Sequence, residues 1–339
     1  MDNRYTLNIK DQSQVCVGST ADLLGELLPK KRVIVISDVN IDRLYNPLFE
    51  QYESIIIGLG ESIKTLPTLE TIYKKLVEMG ADRSTFILAI GGGIVSDIAG
   101  FAASTYMRGV KFGFISTTLL SQVDAGVGGK NGINLGGYKN MIGNFNQPEF
   151  VICDVDMLKT LPLREFRAGL AEVIKAAIVC DPELFELLEN STFEQIREDR
   201  ELLSRIIFAS VKIKAKIVDL DERESGERRK LNLGHTFAHA IEKSSSEMIH
   251  GEAVAVGTAI VTRMAQNMGI ISEQDAERIV ALHEKMGFTL TPPVELRQLH
   301  KVITHDKKVE QGAIYMVLPT GIGSCEVRKM SFDEVAQYL

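Results

Sequence analysis

The sequence has no excess of basic residues, no closely spaced cysteines and no long apolar segment. Its 339 residues include 38 lysines and arginines against 45 acidic residues, which gives a net charge of −7. Nucleic-acid binding generally requires a basic surface, so this balance argues against such a partner. No cysteine among Cys16, Cys153, Cys180 and Cys325 is two or three residues from another. A zinc–thiolate site is therefore not expected, and a disulfide framework is improbable at this length.

The segment Met1–Lys10 lacks the apolar core of a signal peptide, and no apolar stretch approaches the length of a membrane span. We therefore expect a cytoplasmic protein with no membrane partner. An apolar fraction of 45% and a charged fraction of 24% are those of a folded globular chain. The length indicates two domains.

The first half of the chain alternates between strand-like and helix-like segments. Short apolar runs at Val33–Ile36, Ser54–Ile57, Phe86–Ile90 and Phe112–Ile115 suit strands that are buried on both faces. Pro67–Met79 has apolar residues at helical spacing and is followed by a glycine. Strand, helix and strand in this order predict a mostly parallel sheet with right-handed crossovers.

The second half shows mainly helical periodicity, from Leu163 to about Met286. A long amphipathic helix is predicted at Leu202–Val218, and Ser331–Glu334 has the pattern of a capping box for a last helix. The predicted fold class is α/β, with a Rossmann-like domain over residues 1–158 and a mainly α-helical domain over residues 159–339.

Two glycine-rich segments are candidate ligand sites. Gly91–Asp97 follows a predicted strand and opens a helix, where glycine backbone N–H groups and the helix N-terminus favour a pyrophosphate. A tight turn without a ligand explains this segment equally well. Ser121–Asn144 is a long glycine-rich connection in which Lys130 and Lys139 suit anionic groups. Its composition alone would favour a flexible surface loop.

Three of the six histidines, His235, His239 and His250, lie close together in the sequence. His235 and His239 are four residues apart and share a helix face. A catalytic metal site needs about three protein ligands and an open position, and Glu172 could add a carboxylate, with Lys175 one turn further on. Each histidine alone is more often a satisfied core or surface residue. Together they favour a metal site, without deciding which of them are ligands.

Several stretches resemble the signatures of the 3-dehydroquinate synthases, in the family's order and over essentially the whole chain. The stretches are 115–120 (ISTTLL), 127–130 (VGGK), 169–175 (GLAEVIK), 221–224 (DERE), 231–237 (LNLGHTF) and 250–254 (HGEAV). The resemblance implies a Rossmann-like N-terminal domain, a helical C-terminal domain and an active site in the cleft between them. It also implies a homodimer. Tyr138 departs from the family, in which glycine is usual at this position.

The reaction that the resemblance implies converts 3-deoxy-D-arabino-heptulosonate 7-phosphate to 3-dehydroquinate and phosphate. It proceeds by transient NAD-dependent oxidation, phosphate elimination, reduction and intramolecular aldol cyclisation, without net redox change. The implied cofactors are NAD and one divalent metal ion, with zinc favoured and cobalt or iron as alternatives. The implied partner is a small phosphorylated keto acid.

The resemblance also implies roles for individual residues. Its metal ligands are Glu172, His235 and His250, which leaves His239 as an active-site residue and not a ligand. Positions that hold NAD in the family are Asp38, Asn40, Glu61, Lys64, Gly92, Gly93, Asp97, Thr117, Thr118, Lys130, Lys139 and Thr160. Positions around the substrate are Asp124, Lys130, Asn140, Lys175, Lys214, Arg228, Asn232, His239 and Lys307. Arg108 matches an arginine that reaches across a dimer interface.

Three other functions are considered. A sister cyclase of the valiolone or inosose type would use a sugar phosphate without a carboxylate, and Arg228, Lys214 and Asn232 argue against it because together they suit a carboxylate. A metal-dependent polyol dehydrogenase would show net NAD reduction. A non-enzymatic binding protein would not need the set of metal-ligand and lysine residues.

Overall fold

The computed structural model describes residues 4–304 and 313–339. The chain divides into two compact units. The first contains residues up to Pro162 together with Lys214–Glu222, and the second contains Leu163–Ile213 and the chain from Arg223 onward. None of the helices in the described ranges combines the length and the apolarity that crossing a bilayer requires.

The first unit contains a seven-stranded sheet with the order β1-β2-β9-β6-β5-β3-β4. Its strands are β1 (Tyr5–Ile9), β2 (Ser13–Val17), β3 (Val33–Asp38), β4 (Glu53–Ile57), β5 (Phe86–Gly91), β6 (Phe112–Ser116) and β9 (Phe150–Cys153). Only the β1–β2 pair is antiparallel within this sheet. The four apolar runs predicted as buried strands are confirmed as β3 to β6. The short strands β2 and β9 were not predicted.

Four helices belong wholly to the first unit: α1 (Thr20–Leu27), α2 (Val39–Tyr45), α3 (Leu66–Glu78) and α4 (Gly93–Thr105). The predicted helix over Pro67–Met79 corresponds to α3, which begins after Thr65 caps the Thr68 N–H group. The core of this unit contains fully buried side chains from the central strands, including Val35, Leu88 and Ile152. These strands are apolar along their whole length because both faces of the sheet are covered.

The glycine-rich segment Ser121–Asn144 is not the irregular connection that its composition suggested. It contains a π-helical turn at Ser121–Ala125 and an antiparallel hairpin of β7 (Lys130–Leu135) and β8 (Tyr138–Phe145). Glycine disfavours a strand only weakly, and here the cross-strand ladder supplies the backbone partners that local propensity does not predict.

The second unit is helical, as predicted, from α5 to α12. Its helices are α5 (Leu163–Cys180), α6 (Pro182–Glu189), α7 (Phe193–Glu198), α8 (Arg200–Leu220), α9 (His235–Ser244), α10 (His250–Asn267), α11 (Glu273–Lys285), α12 (Leu296–Thr304) and α13 (Phe332–Tyr338). The last turns of α8 group with the first unit. A hairpin of β10 (Ala313–Gly321) and β11 (Ser324–Ser331) precedes α13, whose predicted capping box is present.

Candidate metal centre and dinucleotide site

Three side chains of the second unit converge on one point. Glu172 lies on α5, His235 is the first residue of α9, and His250 is the first residue of α10. Their potential ligand atoms all lie within 4.8 Å of one another. The Nε2 atoms of His250 and His235 lie 3.4 Å and 3.7 Å from Glu172 Oε1.

Two glycines next to the histidines allow the helices to approach so closely. Gly234 directly precedes α9 and has φ +77°. A Cβ atom there would lie 2.5 Å from the Thr258 hydroxyl of α10. A Cβ atom on Gly251 would lie 2.1 Å from the Ala168 carbonyl oxygen of α5. Any larger residue would push these helices apart, so the glycines help to set the distance between the two histidines and Glu172.

The second ring nitrogen of each histidine, Nδ1, lies near a hydrogen-bond acceptor. His235 Nδ1 lies 3.2 Å from the carbonyl oxygen of Leu233, and His250 Nδ1 lies 3.4 Å from Glu242 Oε1. A carbonyl or carboxylate oxygen can only accept, so each Nδ1 carries the proton that it donates. In the neutral ring this leaves a lone pair on Nε2, which faces Glu172. Sequence reasoning missed Glu242, although its position seven residues after His235 puts it on the same face of α9.

The charges around this cluster are strongly coupled. Burial, followed by the positive charge of Lys175, lowers the pKa of His235 to about 3 and keeps its ring neutral. Burial also disfavours the charged form of His250, but hydrogen bonds to Glu172 and Glu242 outweigh it and raise the pKa to about 10. Lys175 forms an ion pair with Glu172 one turn away, and both side chains are almost completely buried. Such shifted groups are typical of functional sites.

One carboxylate and two imidazoles form a donor set that suits a divalent transition metal with open coordination positions. His239 does not belong to this set, although its ring centroid lies 5.7 Å from that of His235. The geometry therefore brings together the three residues that the family resemblance implies, and not the pair of histidines four residues apart.

Glu252, the acidic residue of the His250-Gly-Glu stretch, has a different position. Its carboxylate accepts two hydrogen bonds from Arg164, at 2.7 Å and 2.6 Å, and one from the Ile249 N–H group at 3.1 Å. Glu252 thus satisfies the N-terminus of α10 and ties it to the first turn of α5. This contact holds the helix start on which His250 lies.

The predicted substrate residues Arg228 and Asn232 lie in the 3₁₀ turn Glu227–Asn232, just before α9. The Arg228 side chain is buried, with only 2% of its surface exposed. Asn232 donates a hydrogen bond from its amide to the Glu224 carboxylate. Burying the charge of an arginine is costly, so acidic partners or ligands normally compensate a buried guanidinium.

In the first unit, many of the predicted NAD residues lie at the carboxyl ends of parallel strands. Asp38 ends β3 and accepts hydrogen bonds from the Asn40 and Ile41 N–H groups at 2.8 Å and 3.0 Å. Gly92 caps α4, which begins at Gly93 after β5. Because β4 and β5 lie on opposite sides of β3, the direction in which successive strands are added to the sheet reverses between β3 and β5. Open α/β sheets bind dinucleotides at such a switch point.

Beside this point, Thr117 follows β6 and donates its N–H to the Gly91 carbonyl at 2.9 Å. Thr118 accepts a hydrogen bond from the Ser121 N–H at 3.1 Å. Thr160 Oγ1 lies 2.7 Å from the Tyr45 hydroxyl at the end of α2. Each of the three threonines therefore has a hydrogen-bond partner within the first unit.

A buried lysine, itself a predicted NAD residue, connects Asp97 with the predicted substrate residue Asn140. Lys64, only 4% exposed, forms an ion pair with Asp97 on α4 and donates to Asn140 Oδ1 at 2.5 Å. Burial raises the pKa of Asp97 to about 6, although the charge of Lys64 lowers it. Glu61 accepts a hydrogen bond from the Asn134 side chain at 2.7 Å.

The other predicted residues are less closely grouped. Lys214 pairs with Asp124 in the π-helical turn. Lys130, Lys139 and Arg108 are exposed, and Arg108 has a left-handed backbone with φ +72°. Lys307 lies outside the described residues.

These features define a class of α/β proteins in which a dinucleotide-type parallel sheet is joined to a helical unit with a two-histidine, one-carboxylate cluster. The family model for the 3-dehydroquinate synthase N-terminal domain matches residues 54–168, and the family model for the 3-dehydroquinate synthase C-terminal domain matches residues 169–309. The chain belongs to the 3-dehydroquinate synthase family, as the resemblance predicted.

Two relatives named 3-dehydroquinate synthase extend over most of the chain. The protein from Pelobacter propionicus is 42% identical over 90% of this chain and 88% of its own length. The protein from Aliivibrio fischeri is 46% identical over 88% of this chain and 86% of its own length.

Solved structures support the predicted fold. A 2-epi-5-epi-valiolone synthase from Streptomyces hygroscopicus, with NAD+ and Zn2+ bound, has a TM-score of 0.86 and 27% identity, covering 96% of this chain and 94% of its own. A 2-deoxy-scyllo-inosose synthase with NAD+ and Co2+ has a TM-score of 0.88 and 24% identity, covering 99% and 98%. A probable glycerol dehydrogenase from Sinorhizobium meliloti has a TM-score of 0.64 and 14% identity, covering 94% and 91%. The last two likenesses concern the fold alone.

Proposed function

We propose that the chain converts 3-deoxy-D-arabino-heptulosonate 7-phosphate to 3-dehydroquinate and inorganic phosphate, with NAD+ and one divalent metal ion. The observation that carries this proposal is the converging set of Glu172, His235 and His250 in a chain of the 3-dehydroquinate synthase family. Relatives with that name at 42% and 46% identity favour this activity over that of a sister cyclase.

Glu172, His235 and His250 would hold the metal ion, and zinc suits these donors best. Bound there, the ion would supply Lewis-acid polarisation of the substrate alcohol that is oxidised. His235 enters this role as a neutral ring, as a ligand must. Lys175, buried beside Glu172, contributes a positive charge that can also attract an anionic substrate. His239 stands next to the ligands as an active-site residue.

The first unit would hold NAD+. When bound, this cofactor would accept a hydride and return it. Its diphosphate suits the N-terminus of α4 at Gly92 and Gly93, where orphan backbone N–H groups favour negative charge. Glu61, Lys64 and Asp97 would surround the same cofactor, together with Asp38, Asn40, Thr117, Thr118, Lys139 and Thr160. Apart from Thr160, these residues lie within residues 1–158, the proposed NAD domain, and residues 159–339 form the proposed metal and substrate domain.

The substrate carries a carboxylate and a phosphate, and several of the proposed substrate residues are basic. Arg228 is our candidate for the carboxylate, because a guanidinium can form two parallel hydrogen bonds to it. Asp124, Lys130, Asn140, Lys214, Asn232 and Lys307 are the further proposed substrate residues.

We also propose that the enzyme is cytoplasmic and that it forms a homodimer. Exposed apolar side chains on the β7–β8 hairpin and beside Arg108 support an interface in the first unit, namely Met107, Leu135, Tyr138, Met141 and Phe145. Sedimentation at several protein concentrations would test this state, and a monomer at all of them would contradict it.

The activity is tested by incubating the metal-loaded enzyme with the seven-carbon keto-acid phosphate and substoichiometric NAD+. We expect many equivalents of phosphate to be released for each NAD+ present, with no accumulation of NADH absorbance. Steady formation of NADH from a simple polyol without phosphate release would instead identify a dehydrogenase. Turnover of a sugar phosphate that lacks a carboxylate, with none of the acid, would identify a sister cyclase.

A further inference from the structure

The β7–β8 hairpin contains an irregularity centred on one residue of β7, Asn134. Ile133 faces Ile142 across the hairpin, whereas Leu135 faces Tyr138. The single residue Asn134 is therefore opposite the three residues 139–141 of β8. Such bulges bend a strand and redirect its side chains, and they are common beside active sites. Asn140, in the middle of this bulge, has a left-handed backbone with φ +55°.

The side chain of Asn134 supplies partners that the disrupted ladder lacks. The Asn140 N–H group donates to Asn134 Oδ1 at 2.8 Å, so the amide oxygen stabilises the bulged backbone. The other end of the same amide, Asn134 Nδ2, donates to Glu61 Oε1 at 2.7 Å. The backbone N–H of Asn134 donates to the Lys64 carbonyl at 2.8 Å. Asn134 thus joins the bulge to the turn at Glu61–Lys64 through both its side chain and its backbone.

Lys64 completes this hydrogen-bond network, because its side chain contacts Asn140. The Lys64 ammonium donates to Asn140 Oδ1 at 2.5 Å and pairs with Asp97 on α4. The direction of the Asn140 side chain is therefore set from two sides, by Asn134 at its backbone and by Lys64 at its amide oxygen. The hairpin tip contains Gly136 and Gly137, both at positive φ, a backbone conformation that glycine adopts readily.

We propose that Asn134 is a positioning residue, which presets Glu61, Lys64 and the loop with Lys139 and Asn140 for NAD+ before the cofactor binds. This inference rests on the proposed function, because NAD+ is taken as the ligand of these residues. Asn134 acts through Glu61 and Asn140 and does not itself touch the reacting atoms. Its contribution is preorganisation, since a loop that is ordered beforehand loses less conformational freedom on binding.

Two variants separate the two ends of the amide. Asn134→Ala removes both side-chain hydrogen bonds. Asn134→Asp keeps an acceptor for the Asn140 N–H group but places a second carboxylate against Glu61. The matched control is Asn144→Ala on the same hairpin, where the side chain has one long contact of 3.3 Å, with Asn131, and no contact with Glu61 or Lys64.

The first measurement is hydrogen exchange of residues 135–142 in the full-length protein without added NAD+. The second is the dissociation constant of NAD+ by calorimetry. For Asn134→Ala we expect faster exchange in this segment and roughly tenfold weaker NAD+ binding, because the two side-chain hydrogen bonds that order the loop before binding are lost. Asn134→Asp should retain slower exchange than Asn134→Ala while still binding NAD+ weakly. The turnover number at saturating NAD+ should change much less than the affinity, and Asn144→Ala should match wild type.

The outcomes distinguish this inference from the function on which it rests. Failure of the wild-type protein to bind NAD+ would contradict the proposed function. Normal NAD+ binding by wild type and by both Asn134 variants would overturn the inference alone, even if exchange in the hairpin increased, because the role would then be only structural. Should Asn134→Ala not fold, as judged by circular dichroism, Asn134→Asp and its NAD+ affinity decide the question.

Discussion

The Nδ1 atom of His250 lies 3.4 Å from Glu242 Oε1, while the Nε2 atom of the same ring lies 3.4 Å from Glu172 Oε1. The imidazole is thus held between two carboxylates, and only Glu172 belongs to the converging set of candidate ligands. A carboxylate behind a metal-bound histidine orients the ring and increases its basicity. Glu242 therefore has a defined part in the proposed centre without being a ligand.

We expect Glu242→Gln to weaken metal binding by about 10- to 100-fold, the range seen when the partner of a ligating histidine is lost. The glutamine retains the size of the side chain, so the helix packing should persist. Zinc affinity can be measured by competition with a chromophoric chelator. The control is Glu247→Gln, which removes the same charge from an exposed residue of the segment before α10. Equal zinc affinity in the two variants would contradict a role for Glu242.

Single replacements should distinguish the three proposed metal ligands from their neighbour His239. We expect Glu172→Gln, His235→Ala and His250→Ala each to lower metal content after dialysis, because three ligands would be reduced to two. His239→Ala should retain the metal and lose turnover. Metal analysis of the purified proteins tests this assignment. A His239→Ala protein without metal, next to a His250→Ala protein with its full content, would show that the assignment is wrong.

Arg228→Ala should weaken binding of the acid substrate and leave NAD+ affinity nearly unchanged. A hydrogen bond to a charged group contributes roughly 1.5–3 kcal/mol, which corresponds to about a ten- to hundredfold change in affinity. The measurement is calorimetric binding of a carboxylated carbocyclic phosphonate and of its analogue without the carboxylate. The neighbouring Arg229→Ala serves as control, because Arg229 lies over the Tyr315 ring at 4.3 Å. If wild type and Arg228→Ala discriminate equally between the two ligands, Arg228 does not recognise the carboxylate.

His283 on α11 should make the stability of the second unit sensitive to acid. Its ring is fully buried, Nδ1 donates to the Ile279 carbonyl at 2.8 Å, and Nε2 has no hydrogen-bond partner among the described residues. Burial lowers the pKa of His283 from 6.5 to about 4. Between these two pH values the unfolded chain binds more protons than the folded chain, so the free energy of unfolding falls as the pH is lowered.

The expected loss from His283 is about 3 kcal/mol over this range, since one pKa unit corresponds to about 1.4 kcal/mol. We expect urea unfolding of wild type to show this decrease from pH 6.5 to pH 4, and His283→Leu to show a flatter dependence. The comparison uses metal-free protein at each pH. An identical pH dependence in both proteins would mean that another group is responsible for the acid sensitivity.

Local sequence patterns predicted much of the secondary structure. Ser54–Ile57 and Phe86–Ile90 could be recognised as buried strands because a strand covered on both faces is apolar at every position. Ser331–Glu334 predicted the start of α13, and the Ser331 side chain does accept the Glu334 N–H at 3.2 Å. The hairpin of β7 and β8 escaped prediction, since its glycines resemble a loop and its pairing depends on residues across the turn.

The sequence by itself determined the fold class, the order of the main elements and, through motifs spread over the chain, the family. It also supplied the metal-binding residue types, but the spacing of His235, His239 and His250 alone did not decide which of the three are ligands. Only the tertiary structure brought Glu172 of α5 to His250 of α10, and placed Glu242 behind that histidine and Asn134 beside Glu61. These relationships arise from helix packing and hydrogen bonds between residues distant in sequence. Such contacts satisfy buried polar groups without leaving a local pattern, so periodicity and spacing do not reveal them.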